Sequence, residues 1–325
     1  MLKRIILFAV LFSLGLFTLG AARAQDYPNR AVRIIVPYAP GGGVDVTARI
    51  LAQQLSDDTG QRYFIENKAG ATGMVGSEAV STSKPDGYTL LYIASTLATA
   101  PFLLSNIKLD VLNDLTPITQ VAYSPYVIVV NPKITANNLK DLATFIKANP
   151  KEFGWAVGGI GSPDHLGIEH FNKLTGIKPL VVPYNGTGPA VAAVVAGEIA
   201  GAMLPPAIAK VNIDAGKLKG LGVTSLERAE VLPNIPTVAS SGFPGFDSGT
   251  WYAVYGSKQM PPELAKTIHQ QISKAAMSPM VKEKLRASGM SVSLSKDPAS
   301  FAAFFEAEYK KYGALIKELN LKPNP

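Results

Sequence analysis

The chain has 325 residues, 47% of them apolar and 17% charged, with no cysteine and a formal charge of +7. Disulfides and thiol chemistry are excluded, so the fold must hold by packing, and the length and apolar content suit about two cored domains. No Lys/Arg cluster of the kind that marks a nucleic-acid face occurs, which excludes nucleic acid as a partner.

At the N-terminus Lys3 and Arg4 precede a run from Ile5 to Leu19 without a charged side chain, followed by Gly20-Ala21-Ala22-Arg23-Ala24. A basic start, an apolar run of this length and an Ala-x-Ala exit predict a signal peptide over residues 1–24, cut after Ala24. The competing reading is a membrane anchor, for which Ile5–Ala22 sits at the lower edge of the roughly 17–25 residues required. With no cysteine to carry a lipid, the expected product is a free, soluble, exported chain of residues 25–325. The leader removes Lys3, Arg4 and Arg23, so the charge falls by three, from +7 to +4.

Beyond Asp26 strand-like and helix-like segments alternate, each bounded by Gly or Pro. Val32–Val36 is short and β-branched and predicts a buried strand. Ala48, Leu51, Ala52 and Leu55 recur at helical spacing after Gly41-Gly42-Gly43. Further strands are expected over 63–66, 89–94 and 118–121, then 126–130, 154–157, 180–182 and 221–224, with helices between. This alternation predicts parallel sheets in three-layer α/β units. Trp251–Tyr255 reads as a late strand, and helices are expected over 263–277, 280–288 and 298–319. In the last, Phe301, Phe304, Phe305, Tyr312, Leu315, Ile316 and Leu319 share one face, which we assign to core.

Three segments have the form strand, Gly-rich loop, helix start: Pro37–Arg49 (PYAPGGGVDVTAR), Val157–Leu166 (VGGIGSPDHL) and Pro183–Ala190 (PYNGTGPA). A helix N-terminus offers unpaired N–H groups and about half a positive charge, and glycine lets the backbone approach an anion. Such loops also make ordinary turns, but three in one chain, two with a Pro-Tyr approach, favour a binding site at the carboxyl ends of the sheets. An anion at a helix end gains ~1–2 kcal/mol, whereas micromolar affinity needs about 8 kcal/mol. The remainder must come from direct hydrogen bonds in a dry cleft between two closing lobes.

Ser162 before Pro163 is expected to cap a helix and can also face a ligand. Asp45, just inside its helix, suits the helix dipole and would act on an anion only through water or by orienting loop amides. His165 is expected to donate to a bound anion, His170 to pack and His269 to face solvent. We expect no metal site, because His165 and Glu169 share a face but His170 points elsewhere. No G-x-S-x-G elbow, dinucleotide loop or phosphate-binding G-K-[ST] occurs, so no enzyme and no cofactor are expected; a periplasmic hydrolase is the weaker alternative.

The chain resembles the Bug family, the extracytoplasmic receptors of tripartite tricarboxylate transporters, over essentially all of its mature length. The marks are Pro28-Asn29-Arg30, PYAPGGGVDVTAR, Glu66-Asn67-Lys68-Ala69-Gly70-Ala71 with Gly73, Lys84-Pro85-Asp86-Gly87-Tyr88-Thr89-Leu90, GGIGSPDHL, PYNGTGPA and Leu232-Pro233-Asn234-Ile235-Pro236-Thr237. The resemblance implies a type II periplasmic-binding-protein fold, two three-layer α/β lobes joined by crossover strands with a ligand cleft between them. Lobe 1 would be 26–123 plus 244–325 and lobe 2 would be 124–243. It further implies a periplasmic monomer that passes a small carboxylate to the membrane components of the transporter; a receptor for a signalling partner is the alternative. Matching positions nominate Tyr38, Gly42, Gly43, Asp45, Ser95 and Thr96 from lobe 1, with Gly159, Gly161, Ser162, His165 and Tyr184 from lobe 2. Two departures stand out: Asn185 replaces a frequent basic residue, and Met203-Leu204-Pro205-Pro206 replaces a stretch that often ends in an acid. Both imply a less polar distal pocket, suited to simple mono- or dicarboxylates, aromatic ones included.

Overall fold

The computed structural model describes residues 27–184 and 186–321. The expected signal peptide and the Asn185 position lie outside them.

Two sheets carry the chain. The first has the order β11-β4-β10-β3-β1-β2, from β1 (Val32–Val36), β2 (Tyr63–Asn67), β3 (Thr89–Ala94), β4 (Leu115–Pro125), β10 (Gly249–Ser257) and β11 (Ser291–Val292). The second has the order β7-β6-β8-β5-β9, from β5 (Val127–Val130), β6 (Gly154–Val157), β7 (Leu180–Pro183), β8 (Gly201–Leu204) and β9 (Lys219–Val223). The chain passes to the second sheet at Tyr126 and returns between Val223 and Gly249.

The sheets are mixed, not parallel as the alternation predicted. β1 runs parallel to β2 and β3, but β10 is antiparallel to β3 and β4; β6 is parallel to β7 and β8, but β5 is antiparallel to β8 and β9. The reason is the double crossing. A strand that leaves one lobe toward the other (β4) and a strand that comes back (β10) must run in opposite directions when they pair. Strand β8 was not expected, because Gly201 and Ala202 carry no strand signal.

Each sheet is covered on both faces. On the first, α1 (Gly43–Thr59), α8 (Pro262–Ala276) and α9 (Pro279–Ala287) bury Leu51, Leu55, Ile268 and Leu285 against Val32 and Ile34. On its other face α2 (Met74–Ser81), α3 (Thr96–Leu103) and α10 (Pro298–Glu318) bury Leu97, Phe301 and Phe305 against Ile35 and Ile93. The aromatic stripe of α10 is core, with Phe301, Phe305, Tyr312 and Ile316 buried. On the second sheet α4 (Leu139–Ala148) and α5 (Pro163–Thr175) cover one face, and α6 (Thr187–Ala196) and α7 (Pro206–Asp214) the other. Leu166 of α5 packs into a core of the first lobe, which joins the two bodies. His269 is buried, not solvent-facing, with Nε2 2.9 Å from the Ser295 carbonyl. It lies four residues from Ala265 and three from Ile272 on the buried face of α8, a periodicity that outweighs its polar neighbours.

At the crossover Thr224 binds both the Tyr126 amide (2.7 Å) and the Ser248 carbonyl, and the Tyr126 hydroxyl lies 2.6 Å from Thr250 Oγ1. The carboxyl ends of β1, β3, β6, β7 and β8 thus point toward the space between the lobes.

Candidate functional site

In the first lobe the site is built on the turn between β1 and α1. Gly41 has φ +87°, in the left-handed region that favours glycine, and Gly42 is the N-cap of α1 with no side chain capping it. Geometry leaves the first amides of α1 without an intrahelical partner. Asp45 is 2% exposed and faces inward to the turn. Its carboxylate accepts the Gly41 amide (2.9 Å), Arg49 Nε and Nη2 (2.9 Å each) and Asn67 Nδ2 (2.8 Å). The Arg49 hydrogen bonds, helped by the Gly41 amide, hold its carboxyl down at about 2. Asn67 Nδ2 also donates to the Tyr38 carbonyl (3.0 Å), so the end of β2 fixes both sides of the turn. Asp45 therefore orients the loop and its charge is spent on Arg49.

Beside the turn the Tyr38 hydroxyl hydrogen-bonds Thr96 Oγ1, and burial pushes Tyr38 up to about 12. Ser95 is 1% exposed and its Oγ has no hydrogen-bond partner among the described residues. Tyr252, opposite Ala94 in the β10/β3 ladder, brings its hydroxyl 3.3 Å from where a Cβ on Gly43 would stand. That hydroxyl bonds to no described residue, and burial raises its pKa.

In the second lobe the loop after β6 ties itself with its own side chains. Asp164 Oδ2 accepts the Gly158 amide (2.7 Å), and burial raises the Asp164 carboxyl. Ser162 occupies the N-cap of α5, but its hydroxyl donates back to the Gly159 carbonyl (2.7 Å) and caps no amide, contrary to the expectation. His165 is likewise tied to the loop backbone through one ring nitrogen. The Gly161 amide donates to Nδ1 (2.8 Å), so that nitrogen carries no proton, and Nε2 is 3.7 Å from Glu169. The buried ring is a backbone tie, because a loop of three glycines needs an acceptor for the Gly161 amide. His170 stacks on Phe246 at 4.8 Å, as a packed residue should.

The third loop is sewn onto the second. Tyr184 donates its amide to the Val157 carbonyl and Gly186 donates to the Gly158 carbonyl, both at 2.9 Å. The first amide of α6, on Thr187, stands 3.5 Å from where a Gly158 Cβ would be. The N-termini of α5 and α6 therefore converge on one glycine turn. Among the described residues no side chain caps α1, α3, α5 or α6, nor α2, α7 or α8, whereas α4, α9 and α10 are capped by Asn138, Ser278 and Asp297. Four helix starts around the cleft thus leave their amides to be satisfied by something else.

The sequence reading left Arg49, Asn67 and Tyr252 out of the site. The i, i+4 spacing of Asp45 and Arg49 was a usable signal; Tyr252 had none, since its place depends on strand register. Among the described residues no group of three or more His, Asp or Glu is placed to hold a metal ion.

Residues 47–321 match the family model described as "Tripartite tricarboxylate transporter family receptor". Protein BugT of Bordetella pertussis (strain Tohama I) is 35% identical over 301 residues, covering 92% of each chain. The chain is a Bug-family receptor. The structure of the periplasmic binding protein BugD superposes with a TM-score of 0.73 at 29% identity, covering 92% of this chain and 100% of that one. Rpa4515 of R. palustris, solved with adipate, gives 0.79 at 27%, again over 92% and 100%. As a Bug receptor, the chain has the periplasmic-binding-protein fold that the sequence resemblance implied.

Proposed function

We propose that this Bug receptor is exported by a leader over residues 1–24 and captures a small carboxylate in the periplasm as a monomer. The ligand is held between a lobe of residues 26–123 plus 244–325 and a lobe of 124–243, then passed unchanged to the membrane components of a tripartite tricarboxylate transporter. The observation that carries this reading is the set of uncapped helix N-termini around glycine turns, contributed by both lobes. An anion between them would accept amide hydrogen bonds from two sides in a site whose acidic residue, Asp45, is already neutralised by Arg49. Tyr38, Gly42, Gly43, Ser95 and Thr96 would contact it from one side and Gly159, Gly161 and Tyr184 from the other, with Asp45, Ser162 and His165 shaping the loops. Ser162 and His165 are each committed to backbone groups and not to one another, which speaks against a Ser–His hydrolase.

The test is thermal shift of residues 25–325 against carboxylates and their amides. Ligand that binds only the folded state raises the melting temperature. A shift with acids, absent with amides, supports anion capture; equal shifts with both, or with neither, count against it.

A further inference from the structure

Tyr252 lies on β10, held between β3 (opposite Ala94) and β4 (opposite Ala122) in the middle of the first sheet. Its ring stacks on that of Tyr92 with centroids 6.5 Å apart, so strand and ring are both fixed. The β10/β4 pairing shifts register between Tyr252 and Ala253, an irregularity that sheets carry beside sites where a side chain is re-aimed. The side chain reaches the first residue of α1, with its hydroxyl 3.3 Å from the Cβ position of Gly43. Met290, whose Cε is 3.7 Å from the same position, flanks it with an apolar group.

Two observations meet at that point. The amides of Gly43, Val44 and Asp45 open α1 and find no acceptor among the described residues, as the first turn of a helix leaves them. Tyr252 is 7% exposed, and its hydroxyl too has no partner among the described residues. The Tyr255 hydroxyl is also unpartnered, but it is sealed in the core against Phe301 and Phe305; that of Tyr252 is not sealed. Tyr38, the other tyrosine at the turn, spends its hydroxyl on Thr96. Burial keeps the Tyr252 phenol protonated, so toward an anion it acts as a donor. Asp45 turns inward to Gly41, Arg49 and Asn67, and its charge is met there.

Resting on the carboxylate reading above, we propose that the ligand's carboxylate sits on the N-terminus of α1 with one oxygen accepting a hydrogen bond from the Tyr252 hydroxyl. Tyr252 is then a specificity-determining residue that requires an acceptor oxygen at this place. The bond is charge-assisted and joins the helix amides in holding the anion. Both halves of the anchor, α1 and β10, belong to the first sheet and its helices, so it is preorganised before the second lobe closes.

The experiment is calorimetric titration of residues 25–325 as wild type, Tyr252→Phe and Tyr255→Phe. The probes are straight-chain monocarboxylates from acetate to octanoate, the matching α,ω-dicarboxylates and benzoate. The tightest binder is then prepared with a carbon-13-labelled carboxyl group. Tyr252→Phe is expected to weaken that acid about fivefold to tenfold, while unliganded melting stays as in the wild type. Tyr255→Phe makes the same chemical change on the same strand and should alter affinity by less than about twofold. At saturation, the infrared antisymmetric stretch of the labelled carboxylate should move to higher frequency in Tyr252→Phe, as it does when an oxygen loses a hydrogen bond. In Tyr255→Phe the band should stay in place. A merely structural role for the Tyr252 hydroxyl would lower affinity without moving the band. An unmoved band or unchanged affinity in Tyr252→Phe would overturn the proposal, as would an equal loss in Tyr255→Phe. Binding of no probe by the wild type would instead remove the carboxylate reading, and this proposal with it.

Discussion

Asp45→Asn keeps the shape of the side chain and removes its charge. In the wild type four donors converge on the carboxylate at 2.8–2.9 Å, two of them from Arg49. The amide would keep one acceptor oxygen and turn an NH2 group toward the Arg49 and Asn67 donors. Hydrogen bonds to a charged group contribute ~1.5–3 kcal/mol. The depression of the carboxyl from 3.8 to about 2 corresponds to ~2 kcal/mol, reduced because Arg49 is half exposed. A net loss of about 2 kcal/mol follows, or ~3 °C in melting temperature for a chain of this size. With an NH2 group set against the Arg49 and Asn67 donors, the turn is no longer held to the end of β2, and carboxylate affinity should fall about tenfold. The pH dependence has a definite sign. A carboxyl whose folded pKa is depressed gives stability that is fully present above its unfolded value and is lost as pH falls through the folded one. The gap between wild type and variant should therefore be constant above about pH 4 and shrink toward pH 2. Scanning fluorimetry from pH 2 to 7 with titration calorimetry at pH 7 measures both effects. A variant that melts within about 1 °C of wild type at pH 7 and binds equally well would refute the role given to Asp45.

Gly161→Ala adds a methyl group where Leu103 already sits and forces a left-handed residue, φ +75°. Affinity should fall about a hundredfold, and adding Leu103→Ala should restore at least about tenfold of it; calorimetry showing no recovery in the double variant would mean the lobes do not meet there. Ser162→Ala removes the bond to the Gly159 carbonyl and should cost ~1 kcal/mol in a melting curve. Binding should weaken by less than about tenfold, since amides carry it; complete loss would point to a direct role for the hydroxyl. Tyr252→Phe removes a hydroxyl that no described residue uses, so the unliganded protein should melt as before. Its carboxylate affinity should drop about fivefold to tenfold, and unchanged affinity would take Tyr252 out of the site.

Most elements were readable because their apolar period is strong. Val32–Val36 and Thr89–Ala94 are β-branched or aliphatic runs buried on both faces, and the stripe of α10 repeats at helical spacing over 21 residues. What failed was pairing. Whether β10 runs with or against β3 depends on the chain having visited the other lobe between them, and no window of the sequence carries that. Small residues hid β8, whose Gly201 must stay bare because a Cβ would stand 2.8 Å from Trp155. His269 was misread for a related reason: its polar neighbours dominate a short window, while burial follows from the helix face it shares with Ala265 and Ile272.

The site was legible as loops and much less so as side-chain roles, and the cause is the kind of binding involved. A catalytic centre advertises itself through side chains at recognisable spacing. Here the groups offered to an anion are amides, and the polar side chains face away from the cleft to hold those amides in place: Asp45 holds Gly41, Asp164 holds Gly158 and His165 holds Gly161. Asp45 read as a helix-dipole residue and His165 as a ligand contact, and Asp164 gave no signal, yet all three accept a loop N–H. The division has a physical logic. An acid pointing at an anion would repel it, whereas the same group behind a glycine turn satisfies the inner amide and leaves the outer ones free. Ser95 is the exception that fits the scheme. Its hydroxyl is buried at the start of α3 and has no hydrogen-bond partner among the described residues, which leaves its donor and acceptor capacity unused at the cleft end of β3.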